Sequence, residues 1–513
     1  MGRNAELNKV GFMLSALAPV IGWLAAAKKN NLAEITQPKI KGFVHLVPQT
    51  FEHPVLYLSA GGAFLVSIVL WIILVKFNSP DFRGYKYDYR LRGSDIVSSE
   101  ALNRLTTNKK IKQVTLATVK MPVDIENLQT LIVGATGSAK TLILTQAMYS
   151  ILLRGDRQVI VDPDGYFTSL FYKPGDVLLN PHDERTPGWV IFNEMKESYD
   201  YETYSYSLVP LGKSSTEEEW NGYGRLLVTE VFKKLHSQGI NDFTQLYYWC
   251  VNAPEEDLEA FCNGTLAQSL FVGTDRTLGS ARFVLTNKLS AHMIMPGGSF
   301  SIRDYLADPK GGNIFITWRE DQIATLKPLI STWVDVICNA ILSLPEVDAE
   351  NIWLHTDELA SLDKIKALEP ALTKGRKKKL RIISCVQAIS QLEEIWGEKG
   401  SVTLRSCYRN LIALGGARSD DRTPEVLSRA LGDFDVVRKR ETNSRNSGGG
   451  SSSSNAEGKD QDYVVKASEI SNLPDREGYV AFTRGFPIAK VKVPIVNFKA
   501  RNPAYIPRSS LGG

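Results

Sequence analysis

The sequence predicts an α/β fold with a phosphate-loop core, an inserted all-α domain and an N-terminal anchor of two transmembrane helices. Three observations predict it: two long apolar segments near the N-terminus, a Gly-rich loop between an apolar strand and a helix, and a long interval without strand patterns. A chain of 513 residues is too long for one hydrophobic core, so several domains are expected. The predicted boundaries are 1–76 for the anchor, 77–182 and 301–513 for the two parts of the core, and 183–300 for the insertion.

The composition is that of an ordinary globular protein. Hydrophobic residues make up 43% and charged residues 23%, which excludes a mostly disordered, collagenous or largely membrane-embedded chain. The formal net charge is only +4, so any contact with nucleic acid depends on local basic patches. The five cysteines have no CxxC spacing and indicate neither a disulfide framework nor a zinc site. We expect reduced, mostly buried thiols.

Two uncharged apolar segments, 10–27 and 55–75, are each long enough to cross a membrane as a helix. The second is apolar on all sides, as a membrane-spanning helix is. The first also fits a cleavable signal peptide, because basic residues precede it and three alanines end it. Five basic residues follow the second span: Lys76, Arg83, Lys86, Arg90 and Arg92. They predict that the rest of the chain faces the cytoplasm, where ATP is available.

A phosphate-binding loop follows the predicted strand 131–133 and precedes helix-like sequence. The loop comprises Gly134, Ala135, Thr136, Gly137, Ser138, Ala139, Lys140 and Thr141. Backbone N–H groups of such a loop face phosphates, while Lys140 reaches the β and γ oxygens and the Thr141 hydroxyl binds Mg²⁺. ATP and Mg²⁺ are therefore the expected ligands. The alternative, a chance Gly-rich turn, is disfavoured because a strand and a helix flank the loop.

The loop departs from the usual pattern at Ala139, where most such loops have glycine. Two consequences stay open: the methyl group could crowd the approach of the backbone to the β-phosphate and lower the hydrolysis rate, or a helical backbone at this position, which we expect, could accommodate alanine.

Of three further predicted strands, two end in polar residues that suit ATP chemistry. The strand at 158–161 completes a βαβ unit with 131–133, which predicts a parallel sheet. The strand at 351–356 ends in two acids: Asp357 would hold Mg²⁺, and Glu358 would orient and deprotonate the attacking water. The strand at 380–386 ends at Gln387, whose side chain is placed to sense the γ-phosphate.

The interval between the phosphate loop and the acids is far longer than a compact core needs. Helix-like, aromatic-rich sequence fills 183–300, where 16 acidic residues face 9 basic ones. This charge excludes a broad phosphate-binding surface. The aromatic side chains could stack on bases, but packing within a helical interior is the favoured interpretation.

The densest basic segment immediately precedes the Gln387 strand: Lys374, Arg376, Lys377, Lys378, Lys379 and Arg381. A solvated loop, a phosphate-backbone contact and an arginine that reaches a neighbouring subunit's γ-phosphate all fit this segment. Farther on, the Ser/Gly-rich stretch 441–459 predicts a flexible loop.

In combination and order, these features resemble the conjugative coupling proteins of type IV secretion, the TraD/TrwB family. The resemblance covers nearly the whole chain. Besides the two apolar spans, the motifs that carry it are GATGSAKT at 134–141, VDPDG at 161–165, NP at 180–181, DER at 183–185, WN at 220–221, DELASL at 357–362, GRK at 375–377, Gln387 with QL at 391–392, SEI at 468–470 and LP at 473–474.

The resemblance implies a hexameric, RecA-like P-loop ATPase in the bacterial inner membrane, with its ATPase domain in the cytoplasm. The implied activity is DNA-dependent ATP hydrolysis that drives relaxase-bound single-stranded DNA into a type IV secretion channel during conjugation. The implied partners are DNA, the relaxase and relaxosome accessory proteins, and the channel proteins. Family roles in catalysis carry over to Lys140, Thr141, Asp357, Glu358 and Gln387, with Arg376 as the arginine finger.

Two other functions remain open. A nucleotide-switched membrane scaffold for the relaxosome would use the same residues without pumping, because a switch and a motor share an ATP site. It predicts that a Glu358→Gln variant still supports transfer, whereas a motor predicts that transfer fails. An FtsK-like translocase of double-stranded DNA usually brings more spans, a long linker and a winged-helix module, none of which is visible in the sequence.

Overall fold

The computed structural model describes residues 17–30, 32, 47–77, 89–272, 276–346, 350–445 and 451–509. The chain divides into two compact units. One comprises Met1–Arg90 and Val436–Asp460, and the other comprises Leu91–Asp435 and Gln461–Gly513. The first unit contains the predicted membrane spans, and the second contains the main sheet.

The helices of the first unit coincide with the apolar segments. Residues 17–29 are helical, while 10–16 of the first predicted span lie outside the described residues. The helix Pro54–Phe77 has 24 residues, and at 1.5 Å per residue its length of about 36 Å exceeds the thickness of a bilayer's hydrocarbon core. The two helices pack closely at Gly22, where an added Cβ would lie 2.7 Å from the Ala63 Cβ atom.

Two helices in the described part of the chain are long and apolar enough to cross a membrane, but they differ in how much of each is buried. The stretch Pro54–Trp71 is mostly exposed, whereas Glu320–Ser343 is mostly buried inside the second unit. Trp333 of the latter packs edge-on against Trp189, with ring centroids 6.0 Å apart. Glu320–Ser343 therefore belongs to the protein core.

The strands in the described residues form three sheets. Their bounds are β1 Tyr89–Gly93, β2 Ile96–Ser98, β3 Thr115–Leu116, β4 Val119–Lys120, β5 Thr130–Val133, β6 Arg157–Pro163, β7 Val177–Leu179, β8 Ile314–Trp318, β9 Ile352–Thr356, β10 Leu380–Val386, β11 Asn410–Leu414, β12 Asp433–Arg445, β13 Ser451–Tyr463, β14 Glu477–Ala481 and β15 Ile488–Lys492. The main sheet has the order β2-β15-β14-β11-β5-β10-β9-β6-β8-β7, and the others are β1-β12-β13 and β3-β4.

Seven consecutive strands of the main sheet, from β11 to β7, are parallel. Strands β5, β8, β9 and β10 are completely buried, as expected for a parallel sheet covered on both faces. The predicted βαβ unit joins β5 and β6, but β10 and β9 lie between them. The sheet is mixed rather than wholly parallel, because β14 runs antiparallel to both of its neighbours.

The second unit's helices surround this sheet and form the segment predicted as the insertion. Their bounds are Ser99–Thr106, Lys140–Arg154, Tyr166–Phe171, Asp200–Leu208, Ser215–Ser237, Phe243–Tyr247, Glu255–Cys262, Arg276–Leu289, Ile302–Ala307, Ile323–Ser343, Leu368–Lys374, Ile389–Ser406, Arg422–Leu431 and Ala467–Ser471. In the described part of 183–300, all the named elements are helical. This segment belongs to the same compact unit as the sheet, so its status as a separate domain stays a prediction.

The aromatic residues of this helical segment have mixed environments. Tyr204 is buried, as packing within the helical interior predicts, whereas 61% of Tyr199 and 45% of Trp220 are exposed. The five cysteines are free, and four of them are buried, in agreement with the expectation of reduced thiols.

The Ser/Gly-rich segment differs from its prediction as a flexible loop. The structure places strands β12 and β13 across 441–445 and 451–459, and residues 446–450 lie outside its described part. The hydrogen bonds between strands join backbone N–H and C=O groups, and every residue except proline has both. A composition that favours flexibility therefore does not exclude a strand.

Candidate nucleotide-binding site

The predicted site residues meet at one edge of the main sheet. The loop 134–139 leaves the end of β5, the acids leave β9, and Gln387 leaves β10, which lies between those two strands. The loop is hydrogen-bonded to the neighbouring strand ends: Gly134 N donates to Val386 O at 3.2 Å, and Ala135 N donates to Gly415 O at 2.9 Å. A cavity of about 660 Å³ opens at this edge.

The cavity brings together most of the predicted residues. Those in its lining are Thr136, Gly137, Ala139, Lys140, Thr141, Asp357, Glu358 and Gln387. Gly134, Ala135 and Ser138 belong to the same loop but are not among the residues that line the cavity. At Gly134 only glycine fits, because an added Cβ would lie 2.6 Å from both the Leu414 Cβ and the Ser138 Oγ atoms.

Lys140 places a buried ammonium group inside the loop. Its Nζ atom donates to the carbonyl oxygens of Gly134 at 2.8 Å and Ala135 at 3.2 Å. These neutral carbonyls do not balance its charge, and a buried cation is stabilised by an anionic partner. Within the loop, the Ser138 hydroxyl is buried and has no hydrogen-bond partner among the described residues, but Ser138 does not line the cavity. The buried ammonium group of Lys140 fits the binding of a phosphate group.

Thr141 and Asp357 form a pair of oxygen ligands beside the lysine. The Thr141 Oγ1 atom lies 3.3 Å and 3.2 Å from the two carboxylate oxygens of Asp357. Burial raises the pKa of Asp357, and the Thr141 hydroxyl and the Lys140 ammonium oppose this increase. Mg²⁺ prefers such hard ligands and commonly takes one or two from the protein and the rest from water and phosphates. The pair therefore suits Mg²⁺ beside a nucleotide.

Glu358 and Gln387 form the polar wall beyond the metal ligands. The Glu358 Oε1 atom accepts from Ala360 N at 3.3 Å, while Oε2 is buried without a hydrogen-bond partner in the described structure. Burial raises the pKa of Glu358, and the Lys140 ammonium and the Gln387 side chain oppose the shift. The Gln387 Oε1 atom accepts from the Thr136 hydroxyl at 2.9 Å. Gln387 thus connects the phosphate loop with the carboxylate.

Ala139 does not have the helical backbone that we expected. It caps the helix Lys140–Arg154 with φ of +88° and ψ of 22°, which is the left-handed region. The expectation was wrong because the loop must reverse direction before the helix begins, and that turn requires a positive φ. For an L-residue this conformation costs about 1–2 kcal/mol, and glycine avoids the cost.

We predict that Ala139→Gly raises the melting temperature of the protein, because glycine adopts φ of +88° without strain. The expected stabilisation is about 0.5–1 kcal/mol after the larger backbone entropy of unfolded glycine is subtracted. Thermal-shift measurements on the nucleotide-free protein test this. The matched control is Ala135→Gly in the same loop, where φ is not positive and no increase is expected. Equal melting temperatures for the two variants would contradict the prediction.

The structure separates Arg376 from the other predicted site residues of its own chain. Arg376 lies in the turn Gly375–Lys378 before β10, whereas Gln387 follows the other end of that strand. A seven-residue strand spans roughly 23 Å, so Arg376 does not reach the cavity of its own chain. It lines a different cavity of about 950 Å³ together with Lys374, Lys377 and Lys378.

Several lining residues were missed by sequence reasoning. Trp318 and Ile323 reach the cavity from the region of β8, and Arg476 and Ile495 approach from β14 and β15. No motif marks them, since they come from distant segments that only the sheet order brings together. For Arg476, the available signal was a charged residue in the turn that follows the LP motif at 473–474.

Comparison with known proteins agrees with this geometry. Residues 113–494 match a sequence model of the type IV secretion-system coupling protein DNA-binding domain. Coupling protein TraD of Escherichia coli K12 is 27% identical over 394 residues, or 73% of this chain and 54% of TraD. The chain therefore spans about half the length of this curated relative.

Solved structures of a bacterial conjugative coupling protein are also similar. TrwBdeltaN70 in an unbound form is 47% identical, with a TM-score of 0.78 over 84% of this chain and 99% of that chain. Plasmid coupling protein TrwB in complex with ADP and Mg²⁺ is 46% identical, with a TM-score of 0.78 over 83% of this chain and 100% of that chain. Because the family match covers most of the sequence, this chain belongs to the TraD/TrwB family of conjugative coupling proteins of type IV secretion systems.

Proposed function

We propose that this protein is an inner-membrane, DNA-dependent ATPase that couples relaxase-bound single-stranded DNA to a type IV secretion channel and drives its transfer in conjugation. The observation that carries the proposal is the convergence of Lys140, Thr141, Asp357, Glu358 and Gln387 around one cavity. Nucleotide-bound structures of the related TrwB support ATP and Mg²⁺ as the ligands.

Each residue of the cavity has a role that follows from its chemistry. Lys140 neutralises charge on the β- and γ-phosphates, and Thr141 and Asp357 hold Mg²⁺, which supplies further neutralisation when bound. Glu358 accepts a proton from the attacking water, and its raised pKa makes it a stronger base than an exposed carboxylate. Gln387 donates hydrogen bonds from its amide to orient the water or the γ-phosphate.

The membrane location rests on the first unit. The mostly exposed, apolar helix Pro54–Phe77 and its close neighbour at 17–29 form the proposed two-span anchor. The basic residues that follow support a cytoplasmic location for the second unit under the positive-inside rule. We retain the division into an anchor at 1–76, a core at 77–182 and 301–513, and a helical insertion at 183–300.

The proposed partners follow from family membership. The matched family is described as a DNA-binding domain of a secretion-system coupling protein, which supports DNA and channel proteins as partners. A relaxase with its relaxosome accessory proteins would deliver the DNA. We propose a homohexamer because the family resemblance implies one. The distance of Arg376 from the cavity of its own chain supports contact with the site of a neighbouring subunit.

ATP hydrolysis by the full-length protein in detergent or nanodiscs tests the proposed activity. We expect hydrolysis that single-stranded DNA stimulates, and we expect Lys140→Thr to abolish it because the ammonium group that faces the phosphates is lost. The matched control is Lys112→Thr, since the Lys112 side chain contacts the Leu153 carbonyl oxygen outside the cavity. A wild type that binds ATP and DNA but does not hydrolyse ATP at any protein concentration would contradict the proposal.

A further inference from the structure

The nucleotide cavity has a second wall, opposite its catalytic residues. In the sheet order, β10 and β9 lie on one side of β5, and β11, β14 and β15 lie on the other. Glu477 at the start of β14 pairs with Lys492 at the end of β15, and both lie at the edge from which the phosphate loop leaves β5. The residues next to this pair, Arg476 and Ile495, line the cavity.

Arg476 is held in an uncommon backbone conformation. Its φ is +66°, in the left-handed region that non-glycine residues seldom adopt, and its carbonyl oxygen accepts from Val493 N at 2.7 Å. Its guanidinium group has no hydrogen-bond or ion-pair partner among the residues that the structure describes. A strained backbone that presents an unpaired cation to a cavity is typical of a ligand-binding position.

Ile495 completes this wall with an apolar surface. Its side chain is 61% exposed although it lies at a cavity, so a ligand that covered it would remove apolar area from water. The segment is anchored against the helix Lys140–Arg154: the Gln146 side chain donates to Pro494 O at 3.4 Å, and the Phe498 ring lies 5.2 Å from that of Tyr149. The wall is therefore fixed relative to the phosphate loop.

The catalytic residues determine which end of a nucleotide meets this wall. Glu358 and Gln387 lie on the β9–β10 side, so the γ-phosphate points there and the nucleoside extends across β5 toward β11 and β14. We propose that Arg476 and Ile495 form a clamp for the purine nucleoside, with the cation over the ring face and the isoleucine against the ring. This clamp rests on the proposed ATP site and names its base-binding residues.

Recognition through the ring face has a consequence for selectivity. Cation–π and apolar contacts are made to the face of the ring and use no hydrogen bonds to its exocyclic groups. The clamp therefore accepts both adenine and guanine nucleotides.

Binding measurements with two probes test the clamp. Calorimetry on the full-length protein in detergent, with Mg²⁺ present, compares ADP with inorganic tripolyphosphate, which has phosphates but no nucleoside. We expect Arg476→Gly to weaken ADP binding about five- to tenfold and to leave tripolyphosphate binding unchanged, because one cation–π contact is lost. Glycine suits φ of +66°, so this variant does not strain the backbone. Ile495→Ser is expected to weaken ADP binding in the same selective way.

The matched control is Arg484→Gly. Arg484 also has a left-handed backbone, with φ of +65°, but it pairs with Asp124 and does not line the cavity. We expect its ADP affinity to equal that of the wild type. Equal losses for ADP and tripolyphosphate in Arg476→Gly would overturn the clamp, since Arg476 would then contact phosphate, and unchanged ADP binding in both cavity variants would also overturn it. A wild type that bound neither probe would refute the ATP site itself.

Discussion

Glu358→Gln is expected to lower ATP hydrolysis by about 10²- to 10⁴-fold while nucleotide binding is retained, because a general base is lost without a change in shape. Glu358 lines the cavity, and its carboxylate oxygen Oε2 is buried and has no hydrogen-bond partner among the described residues. This is the arrangement required of a group that accepts a proton from water. A glutamine side chain has the same size but no basic oxygen.

Glu358→Gln is expected to retain nucleotide binding because it leaves the phosphate-binding and metal-binding residues unchanged. Lys140, Thr141 and Asp357 keep their contacts, and removal of one buried negative charge near the phosphates favours anion binding. Calorimetry with ADP and Mg²⁺ checks the binding, and phosphate release checks the hydrolysis. A variant that hydrolysed ATP at the wild-type rate would show that Glu358 is not the base.

The same variant distinguishes a motor from a scaffold in a conjugation assay. A motor requires repeated hydrolysis, so cells that carry only Glu358→Gln are expected to transfer no DNA. A scaffold requires only the bound nucleotide and would still support transfer. Glu320→Gln is the matched control, because Glu320 lines the same cavity but sits on the β8 side, away from the phosphate loop. Its transfer frequency is expected to match that of the wild type.

Hydrolysis should also depend on pH through Glu358. Burial raises its pKa above the usual value of 4.5, so the carboxylate becomes protonated, and inactive as a base, at a higher pH than an exposed glutamate would. The rate is therefore expected to fall as the pH decreases through this raised pKa. Glu358→Gln should lack this acidic limb in its residual activity.

The catalytic residues at the ends of β9 and β10 were predictable from the sequence because each lies next to a strongly apolar strand. Asp357, Glu358 and Gln387 directly follow β9 and β10, and parallel strands bring such positions to one edge. The second wall of the cavity, which forms the proposed clamp, was not predictable in this way. Arg476 and Ile495 reach the site only because β14 runs antiparallel and returns to the same edge, and strand order is not encoded in local patterns.

Backbone conformation was the other feature that local patterns did not reveal. The motif at 134–141 identified the loop, but the left-handed turn at Ala139 depends on how the loop joins its helix. The segment 441–459 is a related case, since its composition predicts a flexible loop, whereas its described parts, 441–445 and 451–459, lie in strands. The sequence therefore predicts the chemistry of side chains more reliably than it predicts backbone conformation in turns and paired strands.

Arg376→Ala is expected to reduce hydrolysis by about 10³-fold or more if this residue is an arginine finger, which stabilises charge on the transferred phosphoryl group. Because Arg376 lies far from the cavity of its own chain, a catalytic role would require it to act on the cavity of a neighbouring subunit. ADP affinity of the dissociated protein should be unchanged. Lys377→Ala is the matched control, because Lys377 lies in the same exposed turn and lines the same basic cavity.

Mixing two inactive variants tests action between subunits directly. Lys140→Thr removes the phosphate-loop ammonium but keeps Arg376, and Arg376→Ala has the opposite defect. In mixed rings, some intact cavities lie next to a subunit with an intact arginine, so activity should reappear and should depend on the mixing ratio. If Arg376 acted within its own chain, neither subunit could complete a site, and every mixture would stay inactive. The recovered activity therefore tests the arginine finger and the proposed ring together.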